Sequence, residues 1–127
     1  MYINLLIQIK NAQAVKKETV KTSYSKNDEV ILDILAKNKF IDSFEKKGRG
    51  AKKILSINPK YDKGGDGAIR GIKILSTPSR HLYSGYQDIK SVKSGYGLLV
   101  ISTPKGIITG REAKKIKLGG ELFFEIW

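Results

Sequence analysis

The sequence predicts an α+β fold in two small lobes: an N-terminal αβαββ lobe over residues 1–62 and a C-terminal lobe over residues 63–127, mostly antiparallel β with one short helix. Three observations predict it. Apolar residues switch between helical and alternating spacing several times along 127 residues. A turn-rich stretch, Asn58-Pro59 followed by Asp62-Lys63-Gly64-Gly65-Asp66-Gly67, interrupts the pattern near the middle. The charge divides evenly about that break, with 13 basic and 7 acidic residues up to Asp62 and 11 and 5 after it, so each half is +6. Neither half is a charged tail on a neutral domain.

The elements follow in order. Leu5, Leu6, Ile9 and Ala12 recur at helical spacing opposite Gln8, Lys10 and Asn11, which predicts an amphipathic helix over residues 4–14. Residues 19–23 alternate about Val20 and read as a strand. Ser25 or Asn27 caps a second helix, with Asp28 and Glu29 in the first turn where carboxylates suit the dipole. Val30, Ile31, Ile34 and Leu35 make its buried stripe, and Lys37 and Lys39 suit its end. Residues 40–45 and 53–58 then pair around a Lys46-Lys47-Gly48-Arg49-Gly50 turn.

Beyond the break, strands are expected at residues 69–75, near Tyr83, at 98–101 and at 122–127. In the last of these, Leu122, Phe124 and Ile126 form the buried side, with Phe123 and Trp127 on the less buried one. Ser84-Gly85-Tyr86 and Ser94-Gly95-Tyr96 read as two similar turns. Thr109 and Glu112 have the spacing of a capping box, in which each side chain satisfies the other's backbone N–H. Lys114, Lys115 and Lys117 crowd the last turn of that helix, and Gly119 is placed to end it in a left-handed conformation. Between the buried run Leu98-Leu99-Val100-Ile101 and this helix lies Ser102-Thr103-Pro104-Lys105-Gly106, a β-turn with Pro104 at its second position and two hydroxyls and an ammonium to present.

A net charge of +12 directs the protein to polyanions, of which nucleic acid is the commonest. Cysteine is absent, which removes disulfides, thiol nucleophiles and cysteine zinc sites. His81 is the sole histidine, so a multi-histidine metal site has no ligands. Gly64-Gly65-Asp66-Gly67 lacks the third glycine of a dinucleotide fingerprint, and there is no GxxxxGK[ST] phosphate loop. The expectation is a non-enzyme with no cofactor and no small-molecule substrate. No apolar run approaches the roughly 20 residues that span a bilayer, and Met1-Tyr2-Ile3-Asn4 does not open like a signal peptide. A cytoplasmic protein without membrane contact is expected.

The last third of the chain resembles the bacterial type of the small-subunit ribosomal protein eight family, which carries a Ser-Thr-Ser-x-Gly turn, a short helix and a closing Gly-Gly-Glu strand. The matching residues are Ser102, Thr103, Lys105 and Gly106, then Gly119, Gly120 and Glu121. Upstream, Ile9-Lys10-Asn11-Ala12 is similar to the end of the family's first helix, and Ser25-Lys26 with Phe40-Ile41 brackets its second. Ser76-Thr77-Pro78-Ser79-Arg80-His81-Leu82-Tyr83 is similar to its Ser-Arg-Pro-Gly-Arg-Arg-x-Tyr stretch. Pro104 stands where the family has a second serine, and Thr77 and Ser79 where it has Arg and Gly.

The resemblance implies a structural constituent of the small ribosomal subunit that binds its ribosomal RNA directly in the central domain, as a monomer among neighbouring ribosomal proteins. It implies RNA contact by Ser102, Thr103, Lys105 and Gly106, whose hydroxyls can meet base edges or ribose 2′-OH groups. Glu121 either pairs with a lysine or accepts from a base amino group. Arg80 and Tyr83 form a basic and aromatic cluster with His81, Tyr83 being either core or stacking platform. Lys10, Asn11, Ser25 and Lys26 make a second phosphate-contacting patch on the first lobe. Rival readings are a repressor that binds messenger RNA of its own operon and a free RNA chaperone or nuclease.

Overall fold

Helix α1 spans Tyr2–Ala14 and buries Leu5, Leu6, Ile9 and Ala12, the stripe its spacing predicts. The computed structural model describes residues 2–77, 79–89 and 97–127. Strand β1, Val20–Ser23, leads to α2, Lys26–Lys37, and then to β2, Ile41–Lys47, and β3, Ile54–Pro59. The three strands form an antiparallel sheet in the order β1-β3-β2, with a bulge in β2 between Ile41 and Ser43. Leu55 and Ile57 of the central strand are fully buried with Ile31, Leu32 and Leu35 of α2.

Two details of α2 depart from expectation. Leu32 joins the buried stripe while Val30 is half-exposed, and Asp28 is only 4% exposed. Asp28 therefore does more than face the helix dipole from solvent. Burial pushes its carboxyl above the ordinary aspartate value, and among the described residues Oδ1 has no hydrogen-bond partner. The turn between β2 and β3 also sits later than expected, because Lys46 and Lys47 continue the strand and Gly50–Lys52 forms a 3₁₀ turn.

The chain divides into two compact units, Met1–Ile69 and Arg70–Trp127. The glycine-rich cluster folds with the first. Asp62 Oδ1 accepts from the Gly64 and Asp66 N–H groups, each at 2.9 Å, which makes an Asx-type turn. The Gln13 side chain then clips the segment to α1, accepting from Ile69 N at 3.1 Å and donating to Ile69 O at 3.0 Å. Tyr61 donates to Lys17 O at 2.6 Å on the same side.

Among its described residues, the second unit has a five-stranded antiparallel sheet and one α-helix. Its strands are β4, Ile72–Ile74; β5, Tyr83–Ser84; β6, Leu98–Thr103; β7, Gly106–Thr109; and β8, Gly120–Ile126. Their order is β4-β8-β6-β7, with β5 also paired to β8. Strand β7 was not foreseen. Ile107 and Ile108 do not merely connect a turn to a helix; they return alongside β6, so the Ser102 to Gly106 segment is the head of a hairpin. The first strand is also shorter than expected, three residues against seven.

Helix α3, Gly110–Ile116, begins as the capping spacing predicts, with Thr109 Oγ1 accepting from Glu112 N at 3.2 Å. Among the described residues the reciprocal bond from Glu112 is not made, and Thr109, the last residue of β7, lies opposite Val100 of β6. Its left-handed C-cap is Lys117, at φ 57° and ψ 45°, rather than Gly119. The alternation of β8 is likewise broken. A bulge at Phe123 puts Leu122 opposite Ile101 and Phe124 opposite Val100, so Leu122 and Trp127 both pack on the cluster of Ile89, Leu99, Ile101 and Ala113. The bulged Phe123 carbonyl accepts from Leu75 N and Ser76 N. Ser94-Gly95-Tyr96 and Pro78 lie outside the described residues. No described helix is long and apolar enough to cross a membrane.

Candidate nucleic-acid interface

Strand register assembles the centre of the candidate site in the second unit. Tyr83 of β5 lies opposite Glu121 of β8, Glu121 opposite Ser102 of β6, and Ser102 opposite Ile107 of β7. Residues directly opposite in an antiparallel ladder share a face and stand about 4.5–5.5 Å apart at Cβ. Three expected site residues, from segments 19 or more positions apart, thus form one cross-strand row on the face opposite α3. Tyr83 is 72% exposed, so its ring is not core.

The row depends on the paired glycines. A Cβ on Gly120 would collide with the Ser102 carbonyl, and one on Gly119 with the Ser84 carbonyl. Gly119 and Gly120 let β8 lie hard against both neighbours and are needed for close approach rather than for a helix stop.

The two hydroxyls of the turn have different fates. Thr103 is buried, donates from Oγ1 to Gly106 O at 2.9 Å and accepts from Lys105 N at 3.2 Å. Its hydroxyl builds the hairpin head. Pro104 and Lys105 form a two-residue loop between paired Thr103 and Gly106. Neither is among the positive-φ residues, and Gly106, at φ +118°, supplies that conformation after the proline. Ser102 is half-buried, and its hydroxyl has no hydrogen bond among the described residues. The turn therefore presents one free hydroxyl at Ser102 and the exposed Lys105 ammonium, not two hydroxyls.

Among the described residues, Glu121 pairs with His81 and with no lysine. His81 Nδ1 donates to Glu121 Oε2 at 2.6 Å, with the carboxylate 20% exposed and the imidazole 52%. That contact fixes one carboxylate oxygen and, among the described residues, leaves Oε1 as an open acceptor.

The arm bearing Arg80, His81 and Tyr83 is fastened by a residue that sequence reasoning assigned no role. Ser76, buried, donates to Leu122 O and accepts from Leu82 N at 3.0 Å, while Leu122 N donates to Leu82 O at 2.8 Å. Thr77 and Arg80 exchange two backbone bonds, and Arg80 is exposed three residues before Tyr83.

Comparison with known proteins decides the family. The family model for ribosomal protein S8 matches residues 2–127. The chain belongs to the ribosomal protein S8 family. It is 40% identical over 122 residues to small ribosomal subunit protein uS8 of Nautilia profundicola, covering 96% of this chain and 93% of that one. Against the uS8 protein of Borrelia turicatae the identity is 42% over 127 residues, with 98% and 94% covered. The uS8 protein of Mycoplasmopsis agalactiae is 40% identical over 124 residues, with 98% and 94% covered.

The first unit of this S8-family chain treats its expected residues differently. Lys10 and Asn11 are exposed on α1, and Asn11 lines a groove of about 610 Å³ with Gln8, Lys17, Thr19 and Lys21. Ser25 is the N-cap of α2 but makes no side-chain cap bond, and Lys26 lines a different groove. Asn11 and Lys26 thus line separate grooves of this unit.

Proposed function

We propose that this S8-family chain is a non-catalytic structural constituent of the small ribosomal subunit in the cytoplasm. In this reading it binds small-subunit ribosomal RNA directly in the central domain, as a monomer beside neighbouring ribosomal proteins. The observation that carries the reading is the in-register row of Tyr83, Glu121 and Ser102, in a chain of this family with +12 net charge.

The row offers an exposed ring, an oriented acceptor and a free hydroxyl within one short span of sheet. Those groups suit an irregular RNA helix, where splayed bases can be stacked and shallow-groove edges and 2′-OH groups are within reach. Lys105 and Arg80 flank the row as phosphate partners. Phosphate neutralisation with counterion release provides affinity without sequence choice, and the row sets register. Membership of the particle is tested by sedimenting a lysate that contains the tagged chain. The tag should run with the small-subunit fraction; a tag that stays at the top of the gradient would contradict the reading and favour a free repressor or chaperone.

A further inference from the structure

One end of the first unit's sheet holds an aromatic ring beside two ammonium groups. Tyr24 N donates to Lys53 O at 3.2 Å, which carries the β1–β3 pairing one row beyond Ser23 and Ile54, while Lys46 lies opposite Leu55. Alternation therefore puts Tyr24, Lys46 and Lys53 on the same face as Leu55. Lys46 Nζ and Lys53 Nζ each lie 5.4 Å from the Tyr24 ring centre, inside the reach at which the ring quadrupole attracts a cation. The Glu29 carboxylate, in the first turn of α2, lies near the ring and pushes the Tyr24 phenol above its ordinary pKa.

Beside the ring, between α2 and β2, runs a groove of about 470 Å³, lined by Val30 and Phe44 and by Lys26 and Lys46. That volume is on the scale of small-ligand clefts. Two carboxylates also line it: Glu29, beside Tyr24, and Asp33, paired with Lys37 at 3.1 Å. Lys26, Lys46 and Lys53 form no ion pair among the described residues. The groove thus combines half-buried apolar and aromatic walls with an excess of positive charge, Lys26, Lys46 and Lys53 against the Glu29 carboxylate.

We propose that this groove takes one unstacked nucleotide of bound RNA, its base against Tyr24, Val30 and Phe44 and its phosphate on Lys26, Lys46 and Lys53. An arriving phosphate draws the two ammonium groups off the ring and bares its face for the base, so charge neutralisation and stacking are coupled. The inference rests on the RNA-binding reading above and adds a contact site on the unit opposite in sequence to the hairpin. A free mononucleotide has the same chemistry, and the test separates the two sources.

The test is fluorescence anisotropy on the full chain at one salt concentration. The probes are labelled oligoadenylate and oligouridylate of about ten nucleotides and a blunt RNA duplex of about 16 base pairs, with AMP as an additional ligand. The proteins are wild type, Tyr24→Leu and Tyr24→Phe, each checked for folding by circular dichroism. Tyr24→Leu should weaken the single strands about fivefold or more and leave the duplex within about twofold, while Tyr24→Phe stays near wild type. Equal binding of the single strands by Tyr24→Leu and wild type, or equal weakening of strands and duplex, would overturn the groove. AMP bound more tightly than the oligoadenylate would assign it to a free nucleotide and overturn the RNA occupant. Should Tyr24→Leu misfold, 4-thiouridine-substituted oligouridylate photocrosslinked to wild type decides: adducts on Tyr24 or Phe44 support the groove, and adducts solely elsewhere overturn it. Wild type that binds neither strand nor duplex would instead sink the RNA-binding reading itself.

Discussion

The hairpin row of the second unit and the helical surface of the first use the same residue types to different ends. In the second unit, register stacks Tyr83, Glu121 and Ser102 side by side, and Ser76, His81 and the paired glycines hold them there. In the first, Lys10 and Asn11 sit on one exposed helix and Ser25 and Lys26 at the start of another, each held by little beyond its own backbone. Fixed groups can choose among RNA surfaces, whereas long exposed lysines chiefly follow phosphate charge. The contrast is between a site that sets register and a surface that adds attraction.

The largest expected effect breaks the row itself. Gly120→Ala would drive its Cβ into the Ser102 carbonyl and the Thr103 backbone, neither of which can yield as a side-chain tip would. Forced overpacking of this kind should cost about 3 kcal/mol or more. Gly85→Ala is the control, because at φ −74° its Cβ meets nothing within 4 Å, and it should stay within about 0.5 kcal/mol. Urea melts of both variants check this pair; equal destabilisation would show that close packing of β8 does not hold the row.

Next comes Ser102→Ala, which should weaken binding of a central-domain RNA fragment by roughly 1–3 kcal/mol, about 5- to 150-fold. Thr103→Ala should instead lower the melting temperature, since its hydroxyl bonds Gly106 and Lys105 within the hairpin. Lys10→Ala on the first unit should change RNA affinity by only about 0.5 kcal/mol. Titrations and melts on the three variants would break the comparison if Lys10 matched Ser102.

Asp28 allows a smaller test of the first unit. Its raised pKa means that the folded state holds the proton more tightly than the unfolded chain does. Its contribution is most favourable below the unfolded value and is lost as pH rises through the folded one. Asp28→Asn should therefore stabilise the protein at neutral pH by about 1 kcal/mol, and the gain should shrink as pH falls toward about 4. A gain that grows on acidification would contradict the burial argument. Smallest of all is Pro104→Ser, which restores the family's hydroxyl on the loop. It should lower stability by about 0.4–1 kcal/mol through unfolded-state entropy and bind RNA somewhat more tightly. Weaker binding would mean that turn rigidity outweighs the added hydroxyl.

Much of this architecture was legible locally. The stripe of Leu5, Leu6, Ile9 and Ala12 and the Thr109 cap of α3 depend on neighbours within a turn or two, and both stand as read. What was not legible depended on pairing between distant segments. Strand β7 has four residues, too few for alternation to show, and exists because β6 offers it a partner. The bulge at Phe123 undid a plausible alternation in β8, because it becomes visible once β6 and β8 are aligned. The site followed the same division. Ser102, Glu121 and Tyr83 were nominated by family resemblance, but their side-by-side placement and the His81 contact across 40 positions belong to register. Thr103 was read as a presented hydroxyl because turn composition does not reveal which hydroxyls the turn uses for itself.

The most direct test of a register-setting row beside an attractive surface is salt-dependent RNA binding. A central-domain fragment should be titrated across a salt series with wild type, Ser102→Ala and Lys26→Gln. For wild type, log K should fall with log salt at a slope of roughly −3 to −5, for about four to six neutralised phosphates. Lys26→Gln should reduce the magnitude of that slope by about 1. Ser102→Ala should leave the slope unchanged and lower affinity by the same factor at every salt concentration. A Ser102→Ala curve that rejoins wild type at high salt, with its slope altered, would contradict the account.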